Sequence, residues 1–322
     1  MIPKKEDLTI VFAHVAYQLG PQFAKRNTGI RHIHVTSQDD LNAIIGEADV
    51  LVLSGMWKND LIEKAKKLRF IQACAAGTDQ FDRKLLSERG IRLASGSGIN
   101  ARAVSDHALS LMLAMSRKLP EARDNQAKNF WRGMISDLTQ REDELAGKTL
   151  FVVGTGNIGD RIARLAKAFE MNVVGFRRNT AAGKGSADAV HAISDLKGML
   201  PQADYVTLSC PLTDETRNLI DAEAFAQMKP SSYLINVARG PCVNEAALIS
   251  ALNNGQIAGA GIDVTAEEPL PASSPLWTTK NAFITPHTAG ETRKYEDNVI
   301  DILLENMDRL WKGETKLHNQ IV

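Results

Sequence analysis

TLFVVGTGNIGDRIARLAKAF (residues 149–169) joins a β-branched apolar run to a glycine-rich turn and then to a helical pattern. Ile158, Ile162, Leu165 and Phe169 recur at helical spacing, so the turn opens a helix. Gly154, Gly156 and Gly159 have the spacing GxGxxG. The first glycine permits the tight turn, the second lets backbone approach a pyrophosphate, and the third allows close helix–strand packing. A helix N-terminus placed there presents free N–H groups and partial positive charge to phosphates. The spacing alone is a weak signal. With strand, loop, helix and a second strand NVVGFR (172–177) in order, it reads as a dinucleotide site and not a structural turn.

About twenty residues past such a glycine loop, an acidic side chain usually grips the ribose hydroxyls. Here GFRRNT (175–180) supplies Arg177 and Arg178. A guanidinium has no acceptor for a hydroxyl but pairs a phosphate in bidentate fashion. The stretch predicts NADP(H) in preference to NAD(H), the latter still admissible, with Lys184 adding positive charge.

The 322 residues are too many for one ordinary domain and suit two. With 44% apolar and 24% charged residues the chain reads as globular, able to bury sizeable cores. Lys plus Arg equals Asp plus Glu at 38 each, so no bulk field draws it to nucleic acid or an anionic membrane. Cys74, Cys210 and Cys242 lack CxxC spacing, which offers neither a zinc site nor a disulfide framework and suits a reducing compartment. The start MIPKKEDLTIVFAHV reads as a first strand and not a signal peptide, and the longest apolar-rich run, Ala108 to Met115, is too short to span a bilayer. These features predict a cytoplasmic protein.

Strand candidates fall at 8–15, 49–54, 69–74 and 92–96, then at 149–154, 172–177, 204–210, 232–237, 259–264 and 282–286. Continuous apolar strands separated by helical patterns imply parallel sheets covered on both faces, and two series imply two α/β domains. Between them Ala101 to Trp131 forms a long helical pattern, apolar nearly all round at AVSDHALSLMLAMSRKL, which should be buried in the core or against another subunit. Glu291 to Trp311 forms an amphipathic helix with Val299, Ile302, Leu303, Met307 and Leu310 on one face.

Polar residues follow three of the later strands, in INVARG (235–240), GIDVTAEEP (261–269) and TPHTAG (285–290). In open α/β sheets that is where ligands bind. They offer an arginine, a carboxylate pair and a histidine. Reduction of a carbonyl needs a cation to hold and polarise the substrate, a proton donor, and a partner for that donor.

The motifs GTGNIG, PLTDETRNLI, INVARGPCVNEAAL, GAGIDVTAEEP and TPHTAG occur in the order and spacing of the D-isomer-specific 2-hydroxyacid dehydrogenases, which the chain resembles essentially from end to end. The resemblance implies an NAD(P)-dependent oxidoreductase that reversibly reduces a 2-oxo acid to a D-2-hydroxy acid. It makes Arg239 the substrate-binding arginine, Glu268 the partner of the histidine, and His287 the acid/base, with Ala75, Ala76 and Gly77 holding the substrate carboxylate through backbone N–H groups. It implies cofactor contacts from Asn157 and Ile158, from Cys210 and Pro211, from Val237, Ala238 and Arg239, from Asp263 to the carboxamide, and from His287, Ala289 and Gly290. It also implies two Rossmann-like, doubly wound domains. A cofactor domain of 102–287 is inserted into a flavodoxin-like substrate domain of 1–101 plus 288–322, with a cleft that closes over substrate. A homodimer through the Ala103–Lys118 helix region is expected.

Glu268 argues against a formate dehydrogenase, which has glutamine there. A non-enzymatic dinucleotide sensor on the same fold keeps the same three residues, and turnover separates it from an enzyme. His14, His32, His34, His191 and His318 have no partner motif and read as surface or packing residues. His107 reads as structural, because Asp106, one position away on a helix, does not face it. Cys210 and Cys242 read as small apolar packing residues, Trp57 and Trp131 as core in preference to pocket walls, and Trp277 and Trp311 as structural.

Overall fold

The structure, a computed structural model, describes residues 2–322. Contacts divide the chain into two units, 1–100 with 292–322, and 101–291.

In the first unit five strands form one parallel sheet: β1 (Thr9–Ala13), β2 (Arg31–Val35), β3 (Val50–Leu53), β4 (Phe70–Ala73) and β5 (Arg92–Ala94). Their order is β2-β1-β3-β4-β5, the flavodoxin-like arrangement. Alternate residues of the central strands face opposite cores. Ile10, Phe12, Val50 and Val52 join one cluster; Val11, Ala13, Leu51 and Leu53 join the other. Short helices α1 (Leu19–Ala24), α2 (Gln38–Ile44) and α3 (Arg83–Glu88) connect the strands.

The second unit opens with α4 (Ala101–Ser116) and α5 (Leu119–Ala127) and continues as a seven-stranded parallel sheet. Its strands are β6 (Thr149–Val153), β7 (Asn172–Phe176), β8 (Ala189–His191), β9 (Tyr205–Leu208), β10 (Tyr233–Asn236), β11 (Gly259–Ile262) and β12 (Ala282–Ile284). They lie in the order β12-β11-β10-β9-β6-β7-β8. This is the doubly wound order of dinucleotide-binding sheets, reversing between β6 and β9. Helices α6 (Asn157–Ala168), α7 (Leu196–Met199), α8 (Ala222–Gln227) and α9 (Glu245–Asn253) join the strands. Phe151 and Val153 enter one core, Leu150 and Val152 the other, so both faces are covered. The last helix, α10 (Tyr295–Trp311), returns to the first unit, where Val299, Leu303 and Met307 pack on Ile10, Phe12 and Val52. It begins four residues later than the pattern predicts, and Ile302 is only partly buried.

Two strands escape a search for continuous apolar runs. β2 (RHIHV) and β8 (AVH) lie at sheet edges and are mostly half-exposed, so their sequences carry polar residues or are too short to register.

The long helical pattern after residue 101 is also two elements. Lys118 has φ +49, in the left-handed region, and a new helix begins at Leu119 with Pro120 in its first turn. α4 buries its apolar residues within its own unit, directly on β11. A Cβ on Gly259 would stand 2.5 Å from Met115 Cε, and one on Gly261 would stand 3.0 Å from Leu111 Cβ. α5 has no buried residue, and beyond it Trp131 is 94% exposed, which corrects the expectation that this stretch is core. Trp57 is buried and stacks on Phe81.

The Gly261 clearance is testable. Gly261→Val places methyl groups against Leu111 and Ile235 Cδ1, the latter already 3.1 Å from an added Cβ. We expect a loss of about 2 kcal/mol from overpacking, read as a lower urea midpoint at unchanged slope.

Candidate active site

Because every strand of the second sheet is parallel, the loops that follow β6, β7, β9, β10, β11 and β12 leave the same sheet edge. The predicted cofactor and catalytic residues of this unit all lie on those loops or at the helix start that follows β6.

The glycine loop comes first. Gly154 has φ +93, and a Cβ there would stand 2.6 Å from the Cys210 backbone, so the loop after β6 lies directly on the loop after β9. A Cβ on Gly159 would come within 2.0 Å of the Gly154 carbonyl, whereas one on Gly156 would meet nothing within 4 Å. Ser209 Oγ donates to the Gly154 carbonyl at 2.8 Å and braces the turn. No side chain caps α6, which starts at Asn157 and Ile158. The loop therefore combines a rigid backbone, open space at its middle glycine and a helix N-terminus facing it, which fits a pyrophosphate. Cys210 and Pro211 follow β9. Hydrogen bonding with Cys242, together with burial, raises the pKa of Cys210, so it stays a protonated thiol.

The end of β7 lies beside this loop, with Phe176 in register with Val153. Gly175 leaves room for Thr155, whose Cγ2 would stand 2.6 Å from an added Cβ. Arg177 reaches the Gly183 carbonyl at 3.4 Å, a weak contact, and Arg178 and Lys184 are exposed. Among the described residues no carboxylate forms an ion pair with any of the three.

After β10, Val237 and Ala238 are buried and Arg239 is exposed. Asn236 fixes this turn, its side chain donating to the Arg239 carbonyl and accepting from the Ala238 amide, both at 3.1 Å. The Arg239 guanidinium rests on the Ala238 carbonyl at 2.6 Å. Gly240 then meets the loop after β11 backbone to backbone, for an added Cβ would stand 1.8 Å from the Thr265 carbonyl. Thr265 in turn donates its amide to Glu268 Oε1 at 3.0 Å. Glu268 Oε2 lies 2.6 Å from His287 Nδ1. Contact thus runs without interruption from the Arg239 turn to Glu268 and His287, which come from three different strand ends.

The His287 loop hangs on Asp263, which is 2% exposed. Its Oδ1 accepts from the Thr285 hydroxyl at 2.5 Å and the Thr288 amide at 3.0 Å, and its Oδ2 from the Ala289 amide at 3.0 Å. The Asp263 carbonyl accepts from the His287 amide at 2.8 Å. His287 itself has φ +54, an unusual left-handed conformation for a residue with a side chain. Its ring is half-exposed and its Nδ1 is occupied by Glu268, leaving Nε2 for an external group.

In the first unit, Ala75, Ala76 and Gly77 follow β4. Ala75 donates its amide to Ser54 Oγ at 3.0 Å, so of the three segment amides those of Ala76 and Gly77 remain without an acceptor among the described residues.

His107 makes a contact that sequence spacing does not indicate. Asp106 turns away to Arg161, as helix geometry requires, but His107 reaches Thr285 and lies near Asp263. The signal could not be local, because Thr285 is 178 positions away. His318 pairs with Glu305, His32 bonds the Ile30 carbonyl, and Trp277 and Trp311 donate to the carbonyls of Pro271 and Pro3.

Residues 109–289 match the family model described as D-isomer specific 2-hydroxyacid dehydrogenase, NAD binding domain, so this unit binds a nicotinamide dinucleotide. The chain is 34% identical over 281 residues to D-3-phosphoglycerate dehydrogenase of Methanocaldococcus jannaschii, covering 86% of this chain and 52% of that one. It therefore spans about half the length of that relative. It is 33% identical over 293 residues to glyoxylate/hydroxypyruvate reductase B of Pectobacterium carotovorum subsp. carotovorum, covering 89% and 91% of the two chains. A crystal structure of a D-isomer specific 2-hydroxyacid dehydrogenase family protein from Aeromonas salmonicida aligns with a TM-score of 0.84 at 31% identity, over 98% of this chain and 99% of that one. With its dinucleotide loop and its Glu268–His287 pair in one unit, the chain belongs to the D-isomer specific 2-hydroxyacid dehydrogenase family.

Proposed function

We propose that the protein is an NAD(P)-dependent oxidoreductase that reversibly reduces a 2-oxo acid to a D-2-hydroxy acid. The observation that carries this reading is the 2.6 Å contact between Glu268 and His287 in the unit that also bears the glycine loop. The dinucleotide, held at Gly154–Gly159 and by Asp263 at its carboxamide, supplies the hydride when bound. His287 Nε2 donates a proton to the carbonyl oxygen, while Glu268 fixes the ring through Nδ1. Arg239 binds the substrate carboxylate. The names of the relatives support a small 2-oxo acid such as glyoxylate or hydroxypyruvate. Three buried, unpaired cysteines support a cytoplasmic setting, and no described helix is long and apolar enough to cross a membrane.

The test is oxidation of reduced dinucleotide with a panel of 2-oxo acids. His287→Ala is expected to lose about 10²–10⁴-fold in kcat while its dinucleotide Kd stays within about threefold. A variant with near wild-type kcat rejects the assignment. A wild type that binds dinucleotide but turns over no acid is a sensor and not an enzyme.

NADP(H) is the preferred cofactor in this reading. Arg177 and Arg178 stand free of carboxylates at the end of β7, and a charge-assisted contact to a 2′-phosphate favours NADPH by about tenfold to a hundredfold. The ratio of kcat/KM for NADPH and NADH measures it, and Arg177→Asp should reverse it. A wild type that favours NADH, or an unmoved ratio in the variant, refutes phosphate recognition here.

The protein is also proposed to be a homodimer, but not through α4, whose apolar residues are buried in its own unit. Of the nine large apolar side chains exposed among the described residues, five lie in one stretch: Leu119, Phe130, Trp131, Met134 and Leu138. Arg132–Glu142 and a Lys118 bond to the Gln140 carbonyl fold this stretch back on itself. Such a patch suits a second copy of a chain whose zero net charge sets up no repulsion. Light scattering should give twice 35.2 kDa, falling to the monomer mass on Trp131→Asp with Met134→Asp. A monomeric wild type at micromolar concentration ends the proposal.

A further inference from the structure

We propose that His107 is a positioning residue of the reaction, acting through Thr285 and Asp263 on the loop that carries His287. The inference rests on the oxidoreductase reading above. Its physical basis is the direction of two hydrogen bonds. Thr285 has one hydroxyl proton, and that proton goes to the carboxylate of Asp263 at 2.5 Å. An ionised carboxylate only accepts, and this one also accepts from the amides of Thr288 and Ala289. Thr285 Oγ1 is therefore an acceptor toward His107 Nε2, 2.9 Å away. The ring must carry its proton on Nε2, so the chain of donors runs His107 to Thr285 to Asp263. His107 Nε2 also lies 3.5 Å from Asp263 Oδ1.

His107 is on α4, whose place is set by close packing on the glycines of β11, the strand that ends one residue before Asp263. The ring is 22% exposed and the Asp263 side chain 1%, so the contact is shielded from bulk water. Two consequences follow. The hydroxyl of Thr285 is polarised and fixed in rotamer, which holds the first residue of the 285–289 loop and, through it, the left-handed His287. Asp263 Oδ1 is saturated by two donors, whereas Oδ2 accepts only from Ala289 and retains capacity for a carboxamide N–H. His107, through Thr285, thereby helps decide which Asp263 oxygen keeps free accepting capacity, the one that would hold a carboxamide N–H.

The experiment compares His107→Phe, His107→Gln, Thr285→Val and the His107→Phe/Thr285→Val double variant. Kd for the reduced dinucleotide is read by fluorescence titration without substrate, and kcat and the 2-oxo acid KM by turnover. His107→Phe keeps the ring volume and removes the donor; it should weaken dinucleotide binding and lower kcat by about tenfold each, with KM for the acid within about twofold. His107→Gln, which restores an N–H, should return both to within about threefold of wild type. The double variant should be no worse than the worse single, because both substitutions break one chain. Unchanged Kd and kcat in His107→Phe, no recovery in His107→Gln, or multiplying effects in the double variant would overturn the proposal. A merely structural histidine would lower the melting temperature without moving Kd. If His107→Phe does not fold, Thr285→Val and His107→Gln still decide, since equal Kd in wild type and Thr285→Val breaks the chain. If the wild type binds dinucleotide but reduces no acid, the functional reading fails while the Kd comparison continues to judge His107.

Discussion

A buried carboxylate left without hydrogen-bond partners would cost several kcal/mol. Asp263 escapes that cost because a hydroxyl and two backbone amides converge on it. All three donors belong to the stretch Thr285–Ala289, so satisfying the charge and shaping the loop are one event. His287, in the middle of that stretch, is thereby held in a left-handed conformation that an unsupported loop would leave.

The remaining groups reach the same sheet edge through close backbone approach. Gly154 lies on the Cys210 backbone, Gly159 on the Gly154 carbonyl, and Gly240 on the Thr265 carbonyl. Each contact is too short for a side chain at that glycine, and each ties one strand end to its neighbour. The glycine loop, the Arg239 turn and the Glu268 turn are consequently positioned by covalent geometry and packing more than by flexible side chains. The side chains of Arg239, Glu268 and His287 are exposed above this buried backbone framework.

The central strands were legible because burial on both faces leaves continuous apolar runs such as TLFVV and VLVL. The edge strands β2 and β8 were not, since a half-exposed strand tolerates His and Arg. The break at Lys118 hid behind a helical pattern that Pro120 permits at a helix start, so α5 and the exposed Trp131 were mistaken for core. The glycine loop and the residues Arg239, Glu268 and His287 stood out because their chemistry sits in short local motifs. The link from His107 to Thr285 and Asp263 had no local signature. It exists only because Gly259 and Gly261 admit α4 onto β11.

These arrangements converge on a single claim, that hydride and proton are delivered to a 2-oxo acid held in one orientation. Stereochemistry tests it most directly. The protein is incubated with reduced dinucleotide and the best acid of a panel restricted to 2-oxo acids whose product is chiral, which excludes glyoxylate, and the product is resolved by chiral chromatography. The D-2-hydroxy acid alone is expected. The L-isomer, or a racemic product, would contradict it.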